Sequence, residues 1–432
     1  MNTPGIFIGI DLGTSGCRAY AIDENKRILA SSSKPLPEST AENQHIVQNP
    51  ADWWRICKIV VAELLNTIDR NQVKAISIDG TSGTVLLCDP TGKPLTSGYM
   101  YNDSACTVEA QLIKNIAPAE SGAHGASAGL AKCLYLQKLI NDENSICLNQ
   151  ADWIAGNFLN RFDTSDENNA LKLGYDPVQR EWPIWLKQLS CLSTLPKHVL
   201  QPGDVSGRIN NDIADFFNLP KETKIIAGTT DSIAAFIATG CSRIGEAVTS
   251  LGSTLAIKLI SDKPVFSPDY GIYSHRLGDK WLVGGASNSG GTILKAFFSS
   301  EEMATLSKQI TPDKPTALNY YPLLAKGERF PVSDPDLQPR LSPRPDSDTK
   351  FFQGILEGIS QIEKMAFDKL VELGTPYPSH IVTMGGGSQN EGWRIIREKT
   401  CKIPISNADI SEAAYGSALL AKQNYIRDKN NE

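Results

Sequence analysis

The sequence predicts an α/β protein with mixed sheets flanked by helices, organised as two units. Three observations carry this. Residues 6–36 read as three short strands, "IFIGIDLG", "CRAYAID" and "RILASSS", divided by turn chemistry at "GTSG" and "DENK". A helix and another strand follow, so antiparallel pairing gives way to a strand reached by a helical crossover. Near residue 224 a second α/β run begins, and its "EAVTSLGSTLAIKLIS" is again strand, Leu-Gly-Ser/Thr turn, strand. The boundary is therefore expected between 1–223 and 224–432, and 432 residues with 41% hydrophobic content can bury more than one core.

Each element has a local reason. In "NPADWWRICKIVVAELLNTI", Asn49 suits the cap, Pro50 the first helical position and Asp52 the positive end of the dipole. Trp53, Cys57, Val60, Leu64 and Ile68 then share one face. "VKAISIDG" and "TVLLCD" read as strands, and residues 105–220 as mostly helix and loop. Past 224 come the strand "TKIIAG", the short helix "DSIAAFIATG" and the second hairpin. The Pro- and Asp-rich residues 327–348 read as a long surface loop. A long helix "FFQGILEGISQIEKMAFDKLVEL", the strand "HIVTM", the loop "GGGSQNEG" and the helices "WRIIREKTC" and "SEAAYGSALLAKQNYI" close the chain.

Composition excludes several functions. A net charge of −6 leaves no electrostatic footprint for nucleic acid or an anionic membrane. The nine cysteines include no CxxC pair, and the five histidines form no zinc motif. No secretory leader or apolar run of membrane-spanning length occurs, so the cytoplasm is the expected compartment. The glycine turn at 13–16 joins two strands and opens no helix, which excludes a P-loop.

The candidate chemistry lies in the turns. Glycine brings backbone N–H groups close to a ligand, and neighbouring hydroxyls add donors, so Gly13-Thr14-Ser15 and Gly252-Ser253-Thr254 suit phosphate oxygens. The same residues also make ordinary hairpin turns. Asp11 ends an apolar strand and needs a partner, either hydrated Mg²⁺ or an arginine. Asp231 lies where a strand gives way to a helix, as a helix cap or as a general base at the sheet's carboxyl edge. Gly385, Gly386 and Gly387, followed by Ser388, Gln389 and Asn390, give a strand-to-helix turn or a flat rest for a nucleotide base. Trp393, one turn into the next helix, lines that pocket or packs in the core. Asp79, Thr81 and Ser82 form another glycine-flanked turn facing either solvent or sugar hydroxyls, and Asn102-Asp103 presents the same choice.

Taken in order, "GIDLGTSGCRAYAID", "YND", "AGTTDSIAAFIATG", "SLGST", "GERFP", "LEGIS", "VTMGGGSQN" and "EAAYGSALLA" resemble the FGGY carbohydrate kinases over nearly the whole chain. The resemblance implies two actin/hexokinase-like (ribonuclease H-like) domains with a cleft between them. "IDGTSGTVLLCD" and "NNALKLGYD" are most similar to the short cyanobacterial and plant xylulose kinase-like members, some of which act on D-ribulose. Where bacterial xylulokinases carry Met-His-Gly, this chain has Asp79-Gly80-Thr81-Ser82-Gly83, a departure that favours D-ribulose over D-xylulose. The family pattern implies ATP and Mg²⁺, with both hairpin turns on the phosphates. It makes Asp11 the residue that holds the metal through water and helps position the sugar. Ser82 would bind a sugar hydroxyl, Asp231 would be the base, and Gly386, Gly387, Asn390 and Trp393 would surround adenosine. The alternatives are a kinase for D-xylulose or another ketose or polyol, and a non-catalytic nucleotide-binding regulator of the same fold. The expected state is a monomer or homodimer.

Overall fold

The computed structural model describes residues 5–189 and 191–431. The chain divides into two compact units: the segment ending at Gly240 together with the segment starting at Glu412, and Cys241–Ser411. The first unit is built on a six-stranded sheet. Its strands are β1 (Ile6–Leu12), β2 (Gly16–Ile22), β3 (Ile28–Pro35), β4 (Val73–Gly80), β5 (Val205–Arg208) and β6 (Lys224–Thr230), in the order β5-β6-β4-β1-β2-β3. β1, β2 and β3 are antiparallel, β4 and β6 run parallel to β1, and β5 is antiparallel at the edge.

β1 reads as a continuous apolar run because both faces are covered. Ile6, Ile8, Ile10 and Leu12 share a core with Trp53, Cys57, Val60 and Leu64 of helix Pro50–Leu65. That helix starts as its sequence dictates, with Asn49 Oδ1 accepting from Ala51 N at 3.0 Å, but it stops short of Ile68. On the other face Gly9 admits the closing helix Ala413–Asn431: a Cβ there would lie 1.9 Å from Ala414 O. Gly416 does the same where that helix meets helix Asp231–Ala238, since its Cβ would fall 1.8 Å from Ala234 O.

These contacts move the expected boundary. A break at 223/224 would assign β6 and the closing helix to the second half. β6 instead pairs with β4, Thr229 opposite Asp79, and the closing helix packs on β1. The division falls after helix Asp231–Ala238, because the partners of a parallel strand are remote in sequence and leave no local mark. Between β4 and β5 lie the strand Val85–Cys88 and helices Thr107–Ile116, Gly129–Ile140 and Gln150–Leu159, as expected, together with short strands at Ile146–Asn149, Thr164–Asp166 and His198–Leu200 that were not.

The second unit repeats the plan. Its strands β7 (Glu246–Leu251), β8 (Leu255–Ser261), β9 (Tyr273–Leu277), β10 (Lys280–Ser287), β11 (His380–Met384) and β12 (Ile405–Asn407) lie in the order β9-β10-β8-β7-β11-β12. Again a tight hairpin opens the unit, antiparallel strands extend it on one side, and two parallel strands extend it on the other. The duplication suggested by two similar turns is thus a duplication of topology. The loop at 327–348 is only partly a surface feature, because Glu328 and Phe330 are buried.

Candidate active site

Three carboxylates stand at the carboxyl ends of the three neighbouring parallel strands of the first unit. Asp11 is the penultimate residue of β1, Asp79 lies opposite it on β4, and Asp231 follows β6 as the first residue of its helix. Asp11 and Asp231 were read from sequence as site residues, and the sheet brings them to one edge. Asp79 was read from sequence as a turn residue facing solvent or sugar hydroxyls, and it is the most enclosed of the three. Its Oδ2 accepts from Ser417 Oγ of the closing helix at 2.5 Å, and its Oδ1 has no hydrogen-bond partner. Burial, with the charges of Asp11 and Asp231 added, pushes Asp79 well above the usual carboxylate range. Burial also raises Asp11, against the lowering effect of its neighbours Asp79 and Arg18. Arg18 Nη1 donates to Asp11 Oδ2 at 3.1 Å, so the arginine that the sequence left open is present. Asp231 is partly exposed, and its Oδ1 accepts from Ser232 N at 2.6 Å.

Ser82 follows two residues after β4, and its buried Oγ has no partner. The loop around it is stiffened by hydroxyls and an amide. Thr81 and Thr84 share a hydrogen bond of 2.5 Å, and Thr81 Oγ1 donates to Gln150 Oε1 at 3.0 Å.

The first hairpin turn closes by Gly13 N donating to Gly16 O at 3.0 Å and leaves Ser15 exposed. Gln48 braces it, its Nε2 donating to Thr14 O at 2.9 Å while its Oε1 accepts from Trp53 Nε1 at 2.8 Å. In the second unit, Ser253 and Thr254 are likewise exposed. Gly291 N donates to Gly252 O at 2.9 Å and Thr292 N to Ser253 O at 3.1 Å, which fixes that turn against the helix Gly291–Phe297.

Beside the second turn is a cavity of about 910 Å³. Gly252, Ser253, Gly386, Gly387, Asn390 and Trp393, all expected from sequence, line it; Thr254 does not. The glycines divide their roles. A Cβ on Gly385 would lie 2.8 Å from Leu251 O, and one on Gly387 would lie 2.7 Å from both Leu251 Cβ and Trp393 Cζ3. Only Gly386 faces open space, so internal packing explains two of the three. Trp393 both packs and lines: its Nε1 donates inward to Ser360 Oγ at 3.1 Å while its ring forms part of the wall. Asn390 caps that helix, with Oδ1 accepting from Trp393 N at 2.9 Å and Nδ2 donating to Ser307 Oγ at 2.8 Å.

Sequence reasoning missed the pairing of Asp79 with Asp11, its partner Ser417, and the cavity wall formed by Lys295, Met303, Ser307 and Lys308. Asp79 carried the same signal as Asp11, an acid closing an apolar strand in "AISID" as in "FIGID". Of the helices that supply the wall, Ser300–Gln309 is marked by the capping box Ser299/Glu302, a signal of a helix start and not of a ligand.

The fold is that of solved sugar kinases. The structure of xylulose kinase from Lactobacillus acidophilus superposes with a TM-score of 0.85 at 20% identity, covering 98% of this chain and 90% of that one. Glycerol kinase from Plasmodium falciparum with ADP gives 0.82 at 17% identity, covering 98% and 90%. By sequence, a xylulose kinase of Staphylococcus epidermidis is 22% identical over 96% of this chain and 87% of its own. A gluconokinase of Bacillus subtilis is 23% identical over 90% and 81%. Residues 6–127 match the N-terminal domain of the FGGY family of carbohydrate kinases and residues 247–424 match its C-terminal domain. The chain belongs to that family and is an ATP-dependent carbohydrate kinase. Among the described residues, no helix is long and apolar enough to cross a membrane.

Proposed function

We propose that the protein transfers the γ-phosphoryl group of ATP to a neutral ketopentose, D-ribulose first and D-xylulose as the alternative, giving the 5-phosphate. The observation that carries this reading is the edge formed by Asp11, Asp79 and Asp231, with the unpartnered Ser82 hydroxyl on the loop after β4. Three carboxylates against one arginine suit hydroxyl donors and a cation. The like charge of Asp11 and Asp231 disfavours an anionic aldonate.

In this reading Asp231 takes the proton of the attacking hydroxyl. As that oxygen bonds to the γ-phosphorus, the bond to the bridging oxygen breaks and ADP leaves. Thr14, Ser15, Gly252, Ser253 and Thr254 offer N–H and hydroxyl donors to the phosphates, and Gly13, its N–H taken by Gly16 O, shapes the first turn. The cavity takes adenosine, with Gly386 as the open face, Gly387 and Trp393 as wall, and Asn390 holding that wall in place. Magnesium fits the carboxylate edge: the oxygens are hard donors, and Asp79 Oδ1 is buried without a partner. Asp11 would hold it, with Asp79 beside it. When bound it supplies positive charge for the phosphate oxygens. The free, buried state of all nine cysteines supports a reducing compartment, the cytoplasm, and the protein would act there as a monomer or homodimer.

An ADP-release assay across D-ribulose, D-xylulose, gluconate and glycerol tests the reading. D-ribulose should give the highest kcat/KM, and gluconate should leave turnover at the basal ATPase rate. Efficient turnover of gluconate, or none of either ketopentose, overturns it. Ser82→Ala should raise the sugar KM by roughly tenfold, the worth of one well-placed hydrogen bond, with the ATP KM nearly unchanged. Equal effects on both substrates would remove Ser82 from the sugar site.

A further inference from the structure

Two lysines grip the loop that carries Ser82. Lys132 is wholly buried in helix Gly129–Ile140, on which Leu130, Ala131 and Cys133 are buried as well. Its Nζ donates to Gly83 O at 2.8 Å and to Met100 O at 2.6 Å. Lys172 Nζ, half-buried, donates to Ser82 O at 3.2 Å. The two segments that Lys132 joins also meet directly, Tyr101 N donating to Thr84 Oγ1 at 2.9 Å.

A buried ammonium is costly unless its protons find acceptors and a counter-charge lies near. Lys132 meets both conditions through backbone carbonyls of irregular segments and the nearby carboxylate of Asp103. Asp103 is itself anchored, its Oδ1 accepting from Ile46 N at 3.1 Å and its Oδ2 lying 3.0 Å from His45 Nδ1. The ammonium therefore links loop 81–84 to the segment 100–103, which Asp103 ties to His45 and Ile46. An apolar side chain would fill the same space without making that link.

We propose that Lys132 is a positioning residue for the sugar, holding the 81–84 loop in register with residues 100–103 so that the Ser82 hydroxyl is presented to the substrate, with Lys172 as its auxiliary. The inference rests on the reading of Ser82 as a sugar contact. Lys132 does not touch the sugar; it acts through the loop. The groups facing it are Asp103, Lys172 and the thiols of Cys106 and Cys147. Burial outweighs them and brings Lys132 down to about 8, so its charge is present at pH 7 and largely lost at pH 9.

Steady-state kinetics of Lys132→Met, Lys172→Met and Ser82→Ala, with wild type at pH 7 and pH 9, test the proposal. Each lysine variant should raise the sugar KM roughly tenfold, as loss of a charge-assisted hydrogen bond would, and the ATP KM less than about threefold. The wild-type sugar KM should rise from pH 7 to pH 9, and that rise should vanish in Lys132→Met. If Lys132→Met does not fold, Lys172→Met and the wild-type pH profile decide. A sugar KM that stays constant in Lys172→Met and from pH 7 to 9, or that rises together with the ATP KM, overturns the proposal. If Ser82→Ala leaves the sugar KM unchanged, the assignment of the sugar site fails instead, which separates the two outcomes.

Discussion

Asp231→Asn should lower kcat by about 10²–10⁴-fold, the usual worth of a positioned general base. By transition-state arithmetic that is roughly 3–5 kcal/mol of barrier. A primary alcohol attacks phosphorus poorly while it keeps its proton, and asparagine is a near-isostere that cannot accept one. Asp231 suits the role because it is partly exposed at the start of its helix, whereas Asp79 is fully enclosed and Asp11 is paired with Arg18. ATP affinity should hardly change, since the nucleotide cavity is lined by other residues. Nucleotide titration alongside kcat therefore separates loss of the base from loss of the site. A variant keeping more than about a tenth of wild-type kcat would mean that another group takes the proton.

The same carboxylate edge marks how far the sequence could be read. Asp11 was legible because a charge ending an apolar strand is out of place unless something meets it. Asp79 bore that mark too, but it looked like one polar group in a glycine turn until β4 was laid beside β1 with Asp79 opposite Asp11. Its partner Ser417 lies 338 residues further on, in a helix that local pattern assigned to the other half of the chain. Strand pairing and helix docking of that range leave no periodicity behind. The hairpins, by contrast, were legible because turn chemistry is written in three or four adjacent residues.

The triple glycine could be read as a tight turn or as a rest for a ligand, and the structure divides the two: Gly385 and Gly387 are required by Leu251 and Trp393, which the chain supplies itself, while Gly386 faces open space in the cavity wall. Glycine reports a close approach without saying what approaches. Lys132 illustrates a third case. A lysine within "LAKCLYLQKLI" carries no local mark of a role, and only the structure reveals that it is buried and held by two carbonyls.

Arg397→Met should destabilise the second unit by about 3–5 kcal/mol, because it leaves a carboxylate buried without its counter-charge. Arg397 and Glu363 are each 1% exposed and meet side-on, Nε to Oε2 at 2.6 Å and Nη2 to Oε1 at 2.7 Å. Arg397 Nη1 also donates to Thr383 Oγ1 at 2.7 Å, and Thr249 Oγ1 donates to Glu363 Oε1 at 2.5 Å. Thr249 and Thr383 are directly paired on β7 and β11. One ion pair thus ties these two strands to helices Asp348–Glu372 and Glu391–Cys401. The cavity wall hangs on the same elements, with Leu251 ending β7, Gly386 and Gly387 following β11, and Trp393 one turn before Arg397. Hydrogen exchange at the β7 and β11 amides should therefore accelerate, and ATP affinity should fall with it. The double variant Glu363→Met with Arg397→Met removes both charges and should recover much of the loss, since a buried pair replaced by apolar groups is often close to neutral. A single variant costing less than about 1 kcal/mol, or a double variant worse than either single, would show that the pair does not brace the cavity.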